Sequence, residues 1–82
     1  DDAEMQAYAK CNYDKSVAFA AQPGDPYSLA IAAEASCSRE KLALMNTWER
    51  QRGAGQALDL TSRIEQQAIS TNTGTIARTR SR

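Results

Sequence analysis

The sequence predicts an all-α fold: a disulfide-stapled antiparallel helical hairpin, then a third helix and an extended C-terminal tail. Three observations predict it. Fifteen of the 82 residues are alanine, while Val and Ile, the residues strands favour, total five. One dense turn signal, Gln22-Pro23-Gly24-Asp25-Pro26, separates two helix-compatible runs. The cysteines, Cys11 and Cys37, each lie 13 residues from Gly24.

The first helix is expected over residues 3–21. Asp1, Asp2 and Glu4 at its start suit the positive end of a helix dipole. Met5, Tyr8, Cys11 or Asn12, Lys15 and Phe19 form a partial stripe, and Ala18, Ala20 and Ala21 keep the last turn slim. The prolines end it, because the residue before each is pushed away from helix. The second helix is expected over residues 26–52, with Asp25 as N-cap and Pro26 at the first helical position. Facing positions about Gly24 set Val17 against Ile31, Phe19 against Leu29, Ala18 against Ala30 and Met5 against Ala43 or Leu44.

The same reflection brings Cys11 opposite Cys37. Cα atoms about 5.5–6 Å apart can then be bridged. A loop of this size contributes about 3.5 kcal/mol by loss of unfolded-state entropy. Only 14 residues are Leu, Ile, Val, Met, Phe or Trp, so a staple matters. The bond implies an oxidising compartment. The alternative, two buried free thiols in a cytosolic hairpin, predicts alkylatable cysteines.

Leu44, Met45 and Trp48 lie level with or beyond the start of the first helix and need another cover. Gly53-Ala54-Gly55 is the second break. A third helix, from 56 to about 70, carries Ala57, Leu60, Ile64 and Ala68 at helical spacing, widened by Leu58 and Ile69. It either folds back on Leu44 and Trp48 or docks elsewhere through a soft hinge. Residues 71–82 are rich in Thr, Ser and Arg, with Ile76 their one large apolar side chain. In an extended chain Arg78, Arg80 and Arg82 share one side. Three readings stand for them: a solvated end, an adhesive strip on an acidic protein surface, or a phosphate contact. The units are therefore a hairpin (1–52), a hinge and third helix (53–70) and an extended tail (71–82).

Several chemistries are excluded. With no histidine, neither a Ser–His nor a Cys–His pair exists. Two cysteines without further ligands complete no metal set, so no metal or cofactor is expected. Gly53-Ala54-Gly55 lacks the Lys-Ser/Thr of a phosphate loop. Ten basic and ten acidic residues cancel, which argues against a dedicated nucleic-acid binder. No apolar run approaches the roughly 20 residues of a membrane helix. Glu34 and Glu40 flank Cys37 as a solvated helical face, and Arg39-Glu40-Lys41 and Glu49-Arg50 read as surface charge.

The chain opens on Asp1-Asp2 rather than Met, which is expected of a mature form after signal-peptide removal; trimming is the other explanation. Cys11, Ala18, Ala20, Ala21 and Pro26, followed by Ile31-Ala32-Ala33-Glu34-Ala35-Ser36-Cys37-Ser38-Arg39-Glu40, resemble a pattern in small exported bacterial proteins. Those proteins are Ala-rich helical hairpins with one disulfide and no assigned activity. The resemblance spans residues 8–45 and implies the compartment and the hairpin.

The expected role is non-enzymatic: an accessory or structural subunit of an extracytoplasmic assembly, whether envelope complex, secretion or pilus machine, or virion. Its partners are other protein subunits, a copy of itself included, in the periplasm or outside the cell. Leu44, Met45, Trp48, Ile76, Arg78, Arg80 and Arg82 are the candidate contacts. The rival is a soluble periplasmic inhibitor, immunity protein or chaperone, in which the third helix covers Leu44 and Trp48 within a compact monomer.

Overall fold

The computed structural model describes residues 2–82. α1 (Asp2–Phe19) ends in tightened turns, with the Ala21 N–H donating to the Ala18 carbonyl at 3.4 Å and the Gln22 N–H to the Phe19 carbonyl at 2.9 Å. Gly24 takes φ 129°, a conformation that residues with a side chain rarely adopt. α2 (Pro26–Ala35) starts where its cap dictates. Asp25 Oδ2 accepts the Ser28 N–H at 2.9 Å, and Pro26 lacks only an N–H that the first turn leaves unused. That hydrogen bond also holds the Asp25 carboxyl below its ordinary pKa.

The helix expected over 26–52 is broken at Ser36 and Cys37. Ser36 spends its own groups on the preceding turn: its N–H reaches the Ala32 and Ala33 carbonyls, and its Oγ donates to Ala32 at 2.9 Å. The Cys37 N–H closes a shorter turn on Glu34 at 2.9 Å, and Cys37 itself sits at φ −106°, ψ 29°, outside the helical region. α3 (Ser38–Arg52) restarts with the Lys41 N–H on the Cys37 carbonyl. Cys37 is bonded to Cys11, with Cα atoms 5.9 Å apart.

A single residue, Gly53, separates α3 from α4 (Ala54–Arg80); its φ of 89° again requires glycine. Twenty-seven residues of α4 span about 40 Å at 1.5 Å per residue, which matches the molecule's long dimension of 42 Å. α4 packs on all three other helices. It runs antiparallel to α2 and α3, since Lys41 meets Glu65 and Ala30 meets Asn72. It runs parallel to α1, since Asn12 meets Asn72 and Ala20 meets Arg80.

The expected tail is therefore corrected. Residues 71–80 are the second half of α4, not an extended strip, and the division at residue 70 falls inside one helix. Three side chains at four-residue spacing hold it to its own chain. Asn72 is 1% exposed, Ile76 is fully buried with Ala20, Leu29 and Ala30, and Arg80 crosses to the end of α1. The hydroxyls that argued against helix are satisfied inside it: Thr73 Oγ1 donates to the Ile69 carbonyl at 2.7 Å and Ser81 Oγ to Ala77 at 2.9 Å.

The core has two parts. Tyr8, Cys37, Leu44 and Ile64 form one, with Cys11, Trp48 and Ala68 against it. The Ile76 cluster forms the other, with Phe19 and Ile69 against it. The buried amides of Asn12 and Asn72 lie between them along the helices.

Candidate functional site

The residues assigned to a partner divide sharply. Leu44 is fully buried in the chain's own core, and Trp48 packs against the same cluster, so α4 covers the end of α3 that lacked a cover. Ile76 is likewise internal. Arg80 is spent on carbonyls: Nε donates to Ala20 at 3.0 Å, Nη1 to Gly24 at 2.7 Å and Nη2 to Gln22. It satisfies the acceptors that the end of α1 and its turn leave open, with a positive charge at the negative end of the dipole. Met45 is half-buried in a shallow groove with Leu42 and Leu58, while Arg78 and Arg82 are exposed. These seven residues do not form one site.

The structure assembles a polar relay in their place. Tyr8 of α1 donates its hydroxyl to Glu34 Oε2 of α2 at 2.8 Å. Lys41 of α3 lies 3.1 Å from that same oxygen and also hydrogen-bonds Glu65 of α4. One chain of contacts thus joins all four helices. Glu34 is 6% exposed, so its reading as solvated surface is corrected; Lys41, read likewise, is half-buried. A buried carboxylate is tolerated here because a cation and a hydroxyl both serve it. Burial pushes the Tyr8 phenol well above its ordinary pKa, and its hydrogen bond to Glu34 and that residue's charge push the same way. Burial disfavours the charge on Lys41, yet its bonds to Glu65 and Glu34 outweigh that and raise its pKa.

The signal for this relay was present. Glu34 and Lys41 stand three residues before and four after Cys37, and Tyr8 three before Cys11. At helical spacing these positions share the inward face of the bonded cysteines.

Above the relay, α1 and α4 leave a surface groove of about 180 Å³. Met5, Ala9 and Tyr13 wall it from α1, Ala68, Thr71 and Thr75 from α4, and Asn12 and Asn72 line it too. Asn72 Nδ2 donates to Asn12 Oδ1 at 2.8 Å, and Asn12 Nδ2 donates to the Tyr8 carbonyl at 2.9 Å, so the amides serve each other and the backbone. No described residue lining the groove is charged, in a chain that is 24% charged. Such a lining accepts uncharged, largely apolar surface and offers no counter-charge to a carboxylate, phosphate or amine. Among the described residues, no three His, Cys, Asp or Glu cluster to hold a metal, and no helix is long and apolar enough to cross a membrane.

Comparison with protein-family models, with curated proteins and with solved structures finds no match to this chain.

Proposed function

We propose that the chain is a non-enzymatic binding protein of an oxidising, extracytoplasmic compartment that meets a protein partner through the preassembled α1/α4 face. The uncharged groove carries this reading: it combines exposed apolar side chains with a lining free of charge. The Cys11–Cys37 bond supports the compartment, whether periplasmic or extracellular. The closed core favours a self-contained regulatory protein of the inhibitor or chaperone kind over an accessory subunit that completes its fold in an assembly. Leu44, Trp48 and Ile76, which motivated the assembly subunit, are covered within the chain.

A photo-crosslinking side chain at Ala9, compared with one at Leu58 on another face, tests the reading in the native compartment. Protein adducts specific to the Ala9 probe are expected. Their absence, with adducts from Leu58 instead, overturns the assignment of the face.

A further inference from the structure

The α1 wall of the groove belongs to a stripe at four-residue spacing: Met5, Ala9, Tyr13 and Val17. All four are exposed, Met5 and Val17 by 39% and Tyr13 by 57%. Residues four apart lie above one another on a helix, so the stripe is a continuous apolar ridge. Beside it runs the groove, and ridge and groove share one face. A ridge next to a groove it can fill is the pattern of a surface that complements itself.

The ridge has an internal symmetry. Met5 and Tyr13 stand four residues either side of Ala9. A two-fold axis through Ala9, perpendicular to α1, sets each Met5 against the other copy's Tyr13. The small Ala9 permits close approach at the axis, and a thioether against an aromatic ring is a favourable contact.

Charge selects the same orientation. Asp1, Asp2 and Glu4 precede Met5 in the sequence. Because α1 and α4 run parallel, the opposite end of the face is the C-terminal end of α4, where Arg78 and Arg82 are exposed. The two-fold axis reverses direction, so the acidic end of one copy faces the arginines of the other. A parallel pairing sets like against like.

We propose that the α1/α4 face binds a second copy of this chain, in a symmetric antiparallel dimer centred on Ala9. This rests on the binding reading above and names the partner. The apolar ridge supplies the attraction, and the end charges fix the orientation.

Analytical ultracentrifugation of the intact oxidised protein tests it. A monomer–dimer equilibrium is expected, weakened by added salt. Ala9→Arg places two like charges at the axis and should raise the dissociation constant roughly tenfold or more. Ala9 is exposed, so circular dichroism of the variant should match the parent. Leu58→Arg, on a different face, should leave the dimer intact, and Arg78→Glu should weaken it. Dilution of the unsubstituted protein, followed through the methyl signal of Met5, gives a second readout that needs no variant. A protein that stays monomeric at millimolar concentration, or a dimer lost in Leu58→Arg and kept in Ala9→Arg, overturns the proposal. Either result leaves the crosslinking test of the face standing, because adducts from Ala9 to a different protein support the binding reading alone.

Discussion

Asn72 and Asn12, sixty residues apart in sequence, share a hydrogen bond of 2.8 Å and are 1% and 4% exposed. The Asn72 amide also reaches the Ala30 carbonyl at 3.3 Å, so one side chain of α4 ties α1 to α2 between the two apolar clusters. Asn72→Ala leaves the Asn12 oxygen and the Ala30 carbonyl without this donor. A buried polar group so orphaned costs about 1–3 kcal/mol. Thermal unfolding should shift down by roughly 10 °C for a domain of this size. Asn12→Leu combined with Asn72→Leu should recover part of that loss, because no donor is then left unpaired. A double variant less stable than the sum of the singles shows that the amide pair is not the cause.

Ser16 gives the opposite sign. It is fully buried, and its Oγ has no hydrogen-bond partner. A buried hydroxyl without a partner costs about 1–3 kcal/mol by comparison with an apolar group. Ser16→Ala should therefore raise the denaturant midpoint by an amount equal to about 1 kcal/mol, since alanine also has the higher helix propensity. A lower midpoint shows that the hydroxyl is served in solution.

Alkaline pH should destabilise the fold through the relay. Tyr8 is held protonated in the fold by burial and by Glu34, whereas the unfolded phenol ionises near its model value of 10.0. The unfolded state then binds fewer protons, and stability falls as pH rises past that value. Lys41 acts in the same direction. Its folded pKa lies above 10.5, so its contribution is complete below that value and is lost as pH rises through the folded one. Denaturant midpoints should be flat near pH 8 and fall above about 10. Tyr8→Phe should reduce the slope. An unchanged slope in that variant removes Tyr8 from the account.

Much of this was legible in the sequence, by one rule. Cys11 and Cys37 are equidistant from Gly24, and they are bonded. Gly53 is a second such centre. Lys41 and Glu65 each lie 12 residues from it, and Ala30 and Ile76 each lie 23. These pairs share a salt bridge and a core cluster. The same reflection that matched the cysteines therefore contained the second half of α4. It was obscured by composition: Thr, Asn, Ser and Gly at 70–75 have weak helix propensity, and propensity yields to packing. The helical period of the third helix in fact continues through Asn72, Ile76 and Arg80. The fit of Arg80 could not be read at all, since its three acceptors are backbone carbonyls of a turn whose shape depends on the fold.

Reduction of the disulfide should cost about 3.5 kcal/mol, the entropy of the loop it closes. Cys37 is fully buried while Cys11 is half-exposed, so a reductant reaches the bond from the α1 side. Mass measurement under denaturing conditions should find no alkylatable thiol before reduction and two after it. Two free thiols in the native protein remove the argument for an oxidising compartment.

Deleting residues 71–82 separates a tail from a helix. A tail is dispensable to its own fold, and its loss leaves thermal unfolding unchanged. Here the deletion removes Asn72, Ile76 and Arg80 together. Ile76 alone, fully buried among Ala20, Leu29 and Ala30, should cost about 3 kcal/mol on truncation to alanine. Arg80→Ala should cost about 1 kcal/mol, since the hydrogen bonds it loses are charge-assisted but partly exposed. The losses should appear at one end first: hydrogen exchange should quicken in α2 and at the end of α1, which Ile76 and Arg80 cover, before it quickens around Leu44 and Ile64. In the full deletion, α2 should lose its protection while the disulfide still links it to α1. Unchanged exchange at Leu29 and Ala30 in the truncated protein shows that the second half of α4 does not hold them.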